Sequence, residues 1–136
     1  MNIRVMLDTN ILVSAIVFES KLMFRILEKL ENKYSLVLCS YAIDELREVF
    51  KEKFPQKTIA LERFLTKSKY ELFYTPQILP KHDLFIIRDK KDEKILYSAI
   101  LSDVDVLVTG DNDLLAVENV ARPEILSHLE FLEKYW

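Results

Sequence analysis

The chain has 136 residues, half of them hydrophobic and 30% charged, with a formal net charge of −3. That is the size and composition of one globular domain, 1–136, and not of a disordered segment, and the charge balance gives no global attraction to nucleic acid. The only glycine, Gly110, excludes a glycine-rich phosphate loop, and the lone Cys39, in the apolar run Leu36-Val37-Leu38-Cys39, excludes an internal disulfide and reads as a small buried hydrophobe.

The first element is the apolar run Met1 to Leu7, a strand that stops at Asp8-Thr9-Asn10. Ile11 to Val17 reads as the start of a buried helix. Ser20 is placed to cap a second helix, whose apolar face is Leu22, Phe24, Ile26, Leu27 and Leu30. Ser35 to Cys39 is a second strand, with Ser40 as the cap of a helix that sets Ile43, Leu46, Val49 and Phe50 on one side. Pro55 ends that helix, and Thr58 caps another that carries Ile59, Leu61, Phe64 and Leu65 to about Lys69.

Leu72 to Thr75 is a short strand before Pro76, and Gln77 to Lys91 is the least regular stretch. A helix with Ile95, Leu96, Ala99 and Ile100 then leads into a strand over 104–108, which stops at Thr109-Gly110-Asp111-Asn112-Asp113. Asn112 to Val117 reads as a helical turn and Glu124 to Leu126 as a last strand. Ser127 and Glu130 form a capping-box pattern for a terminal helix. Repeated alternation of strand and helix predicts a mostly parallel sheet covered on both faces. No apolar stretch approaches the ~20 residues needed to span a bilayer, and Asp8 interrupts the first run too early for a signal peptide. With one thiol, the chain reads as a soluble cytoplasmic protein.

Two acidic tips stand out in this order. Ligands of open α/β sheets bind outside the carboxyl ends of parallel strands, where Asp8 and the Asp111 segment fall. Carboxylates gathered there repel one another unless neutralised, and Mg²⁺ or Mn²⁺ prefers such hard oxygen ligands. Glu45 lies at the edge of its helix's buried stripe, while Asp92-Glu93 opens the helix that leads to the second tip. Each also has an ordinary role, Glu45 as a solvated helix residue and Asp92-Glu93 as acids favourable to a helix N-terminus.

Taken together, Asp8-Thr9-Asn10, Glu45, the stretch Arg88-Asp89-Lys90-Lys91-Asp92-Glu93-Lys94-Ile95-Leu96 and Val108-Thr109-Gly110-Asp111-Asn112-Asp113-Leu114-Leu115 resemble the PIN-domain family along essentially the whole chain. The branch it looks most like is that of bacterial and archaeal VapC-like toxins of toxin–antitoxin pairs. The resemblance implies a three-layer α/β/α fold and a Mg²⁺/Mn²⁺-dependent ribonuclease acting on RNA. It also implies a small antitoxin partner and a homodimer. The family's acidic cluster maps onto Asp8, Glu45, Asp92 or Glu93, and Asp111, with Asp113 nearby. The family commonly has paired aspartates where this chain has Asp92-Glu93. The family spacing back from Asp111 points to Glu93, whereas helical periodicity favours neither residue.

On that reading Asp8 and Asp111, on strand tips, are metal ligands, and Glu93 or Asp92 completes the set or orients the attacking water. Glu45 acts at a second metal or through water, and Thr9, Asn10 and Thr109 hold the ligands in place. Arg88, Lys90, Lys91 and Lys94 are the candidate phosphate contacts, and His82 and His128 are poor general-base candidates. A non-catalytic PIN-fold binding module with a degraded acidic site is the alternative, raised by Glu93 standing in place of Asp. A response-regulator switch fits poorly because the second strand ends in Cys39-Ser40, and an aspartyl-nucleophile phosphatase wants Asp-x-Asp where the chain has Asp8-Thr9-Asn10.

Overall fold

Along the first strand Val5 and Leu7 project to one face and Met6 to the other, and all three are fully buried. This is the pattern of a parallel strand covered on both sides. A computed structural model describes residues 2–79 and 87–136, so His82 and part of the irregular stretch lie outside the described residues. Strands β1 (Arg4–Leu7), β2 (Ser35–Cys39), β3 (Glu71–Phe73), β4 (Val106–Val108) and β5 (Glu124–Leu126) form one sheet in the order β3-β2-β1-β4-β5. Every pairing in it is parallel.

Helices α1 (Thr9–Ile16), α2 (Lys21–Asn32), α3 (Ser40–Lys53), α4 (Thr58–Lys67) and α7 (His128–Tyr135) cover one face. Their Leu12, Leu30, Leu46, Phe50, Leu61 and Phe131 pack on Val5, Leu7, Leu36, Leu38, Val106 and Val108. Helices α5 (Lys90–Leu101) and α6 (Asn112–Leu115) cover the other, with Ile95, Leu96, Ala99 and Leu114 on Met6, Val37, Cys39 and Leu107. The result is the three-layer α/β/α arrangement expected of the sequence. Cys39 is a buried free thiol within that second core. No described helix is long and apolar enough to cross a membrane.

Several local expectations change in physically instructive ways. Ser20 does cap α2, its Oγ accepting from Met23 N at 3.3 Å. The phase this sets turns Met23, Ile26, Leu27 and Leu30 inward and leaves Leu22 and Phe24 at the surface. Ser40 is not a cap: Cys39 holds that position, and Ser40 Oγ accepts from Thr75 N at 2.9 Å, tying the chain beyond β3 to the start of α3. That tie takes Thr75 out of the strand. A 3₁₀ turn over Pro55–Lys57 leads into α4, so Thr58 is already helical and Ile59 is exposed. Val104 is buried but precedes β4, because Asp105 Oδ2 accepts from Arg4 N at 2.9 Å before the ladder begins.

The terminal capping box forms as expected, Glu130 N donating to Ser127 Oγ at 3.1 Å and Ser127 N to Glu130 Oε1 at 2.9 Å. Ser127→Ala orphans one of the helix's N-terminal amides, so thermal unfolding should show a loss of ~1 kcal/mol, about 3–5 °C for a chain of this length.

Candidate active site

The chain leaves β1 toward β2 and β3 on one side, and β4 and β5 lie on the other, so β1 and β4 flank the point where strand order reverses. Crevices of this kind bind ligands in open α/β sheets. Leu7 pairs with Val108, and Asp8 N donates to Val108 O at 3.0 Å, which brings the two acidic tips side by side. Both tips serve as helix caps. Asp8 Oδ1 accepts from Thr9 N at 2.7 Å, and Asp111 Oδ1 accepts from Asp113 N at 2.8 Å and Leu114 N at 3.3 Å. Fully buried Thr109 joins them, its hydroxyl donating to Asp8 Oδ2 at 2.7 Å and accepting from Asp111 N at 3.0 Å.

A pocket of about 340 Å³ opens over these tips. Its polar lining is Asp8, Thr9, Asn10, Glu45, Asp89, Asp92 and Asp111, and its cations are Lys53 and Lys91. Asp92, Asp111 and Asp113 each offer an oxygen within 4.8 Å of the others. Asp113 belongs to that triad but not to the pocket lining, and Asp8 lines the pocket outside the triad. Asp92 and Asp111 belong to both. Glu93, toward which the family spacing pointed, does not line the pocket, and the neighbouring Asp92, 9% exposed, is turned into it. The packing of α5 decides this, and both residues lead equally apolar helical rows.

Burial and the charges of Asp111, Asp8, Asp89 and Asp113 push the Asp92 carboxyl up to about 7. Burial likewise raises Asp8, opposed by its bonds from Thr109 and Thr9 and reinforced by Glu45 and Asp111. Carboxylates that resist ionising for want of a positive partner suit a hard divalent cation. The buried Thr9 Oγ1, on the same wall, has no hydrogen-bond partner among the described residues, a further oxygen free to meet a ligand. The donor set thus fits Mg²⁺ or Mn²⁺.

Of the basic residues singled out from sequence, Lys91 lines the pocket. Arg88 instead pairs with Asp113 at 3.2 Å, Lys94 Nζ lies 4.9 Å from the Tyr41 ring centroid, and Lys90 is exposed away from the lining. His128 opens α7 and lines no part of the pocket. Sequence reasoning assigned no role to Asp89, Lys53 or Phe54. Asp89 carried a signal, since it begins the acidic stretch and caps α5 through Lys91 N at 2.9 Å. Lys53 and Phe54 carried none, because only the folded end of α3 brings them to the pocket.

Fold and pocket define an α/β protein with an oxygen-lined acidic site at the switch point of its sheet. The family model for the PIN domain matches residues 4–113, and the chain belongs to the PIN-domain family. Among solved structures it is similar to a chain of VapBC2 from Rickettsia felis bound to a DNA fragment from its promoter. There the TM-score is 0.66 at 21% identity over 92% of this chain and 98% of that one. It is also similar to the PIN domain endonuclease Utp24, with a TM-score of 0.53 at 17% identity over 82% of this chain and 74% of that one. These likenesses are of fold. No curated protein matches the chain.

Proposed function

We propose that the protein is a Mg²⁺- or Mn²⁺-dependent endoribonuclease that hydrolyses phosphodiester bonds of RNA. The observation that carries this is the meeting of Asp8, Asp92 and Asp111 in one pocket at the sheet's switch point, where burial and acidic neighbours raise the Asp92 carboxyl to about 7. Asp8, Asp92 and Asp111 are the proposed ligands, with Asp113 beside them and Thr9 Oγ1 within the same wall. When bound, the ion neutralises phosphate charge and acidifies water for attack. Glu45 accepts a proton from the attacking water, Thr109 and Asn10 keep the ligand carboxylates oriented, and Lys91 meets a substrate phosphate. Incubation of single-stranded and structured RNA with Mg²⁺, Mn²⁺ or EDTA tests this. Cleavage in either metal and none in EDTA is expected, and no cleavage of any RNA ends the proposal.

Thr109 provides a graded test. Thr109→Val keeps the shape but removes the bond to Asp8 Oδ2 and the acceptor for Asp111 N. Loss of such an orienting partner typically costs about 10–100-fold, expected here in kcat/KM for RNA cleavage, with Mn²⁺ affinity weakened in parallel.

The likeness to a chain of VapBC2 supports a further part of the proposal, that this nuclease is the toxin of a toxin–antitoxin pair in the cytoplasm. A small protein encoded beside it should co-purify with it and suppress cleavage. Leu22, Leu129 and Trp136 form an exposed apolar patch suited to a homodimer, which light scattering on the purified protein would detect. The reading as a non-catalytic module rested on Glu93 replacing an aspartate, and it loses that support with Asp92 lining the pocket.

A further inference from the structure

One flank of the acidic pocket is apolar. Val13 on α1, Val49 on α3 and Phe54, just beyond α3, line it and are only partly buried. The Phe54 ring makes T-shaped contacts with Phe18 and Phe50, at centroid separations of 5.9 Å and interplanar angles of 80° and 70°, and neither ring lies parallel to it. Next to it the exposed Lys53 shares the pocket lining, in no ion pair among the described residues. Metal ligation and phosphate binding call for oxygen and charge, and neither uses a wall of valine methyls and a phenyl ring.

We infer that Val13, Val49 and Phe54 form a nucleobase subsite, which receives the unpaired base of a nucleotide beside the cleaved phosphate while Lys53 meets that nucleotide's own phosphate. The inference rests on the ribonuclease reading and deepens it. A base has flat apolar faces, and within a duplex both are covered by neighbours, so only an unstacked base can enter such a slot. Stacking on an aromatic ring tolerates any base, because each has a π-face. The subsite therefore selects unpaired over paired nucleotides and not one base over another. The pocket as a whole, acidic cluster and apolar flank together, is about 340 Å³, within the range that buries a small ligand.

Two measurements decide it. In Mg²⁺ buffer, adenosine 5′-monophosphate should shift the NMR signals of the Val13 and Val49 methyl groups. Ribose 5-phosphate, which has no base, should not, and Phe54→Leu should weaken the nucleotide titration about fivefold or more. No shift with the nucleotide, or equal shifts with both compounds, overturns the inference. In cleavage assays on single-stranded RNA, an abasic ribose placed on one side of the mapped cut should lower kcat/KM about tenfold through KM. Lys53→Gln should likewise raise KM with kcat retained. Abasic substitution without effect on either side overturns the subsite and leaves the nuclease standing. Base-dependent methyl shifts in a protein that cleaves no RNA would sink the nuclease reading and leave a nucleotide site.

Discussion

Asp92→Asn is expected to lower RNA cleavage by about 10²–10³-fold, in the range seen when one preorganised electrostatic group is removed from a reacting centre. Glu93→Gln should stay within about threefold of wild type, as for a change outside the pocket. The contrast follows from Asp92 lining the pocket, near Asp111 and Asp113, and Glu93 lying outside it. Asp92 is also the cleanest position for an amide, since it caps no helix: Asp89 holds the cap of α5. Asp8 and Asp111 are less clean, because both accept amide hydrogens at helix starts and Asp8 also accepts from Thr109. Without metal, Asp92→Asn should raise the melting temperature by about 3–10 °C, corresponding to ~1–2 kcal/mol of relieved desolvation and repulsion after allowance for solvent reaching the pocket. Activity lost in Glu93→Gln but kept in Asp92→Asn would return the ligand assignment to Glu93, and an active, unstabilised Asp92→Asn would remove Asp92 from the site.

What was legible in the sequence was what local patterns determine. The tips at Asp8 and Asp111 could be read because an apolar run ending in an acid marks the end of a parallel strand whatever surrounds it. Ser35 to Cys39, Glu124 to Leu126 and the Ser127–Glu130 box form as read for the same reason. The choice between Asp92 and Glu93 depends on how α5 rolls against Met6, Leu107 and its other neighbours, a tertiary quantity with no local signature. Ser40 looked like a cap until Thr75, 35 residues on, claimed its hydroxyl. Lys53 and Phe54 are the hardest case. They lie at a helix end in a stretch that reads as solvated surface, and reach the pocket only because the folded α3 turns its Glu45, Val49 and Lys53 row toward the acidic tips.

Metal binding and pH should be coupled with a definite sign. Asp92 has a carboxyl at about 7 in the folded protein against 3.8 for an unperturbed aspartate. Below pH 3.8 both folded and unfolded chains hold the proton, and no penalty is present. Between 3.8 and about 7 the unfolded chain releases it first, so the metal-free protein loses stability as pH rises, and above about 7 the full penalty is in place. Asp8 is raised in the same direction and adds to the trend. A divalent ion binds the ionised carboxylate and so competes with the proton, which makes its apparent affinity fall about tenfold for each pH unit below 7. At fixed millimolar Mn²⁺ the gain in melting temperature should therefore grow by about 4–7 °C per unit from pH 5.5 to 7 and level off above that. Asp92→Asn should abolish both the gain and its pH dependence, because the competing proton and the ligand charge are lost together. A Mn²⁺ gain that is flat across this range, or that survives Asp92→Asn intact, would show that the ion sits elsewhere than on the carboxylate at the centre of both groupings.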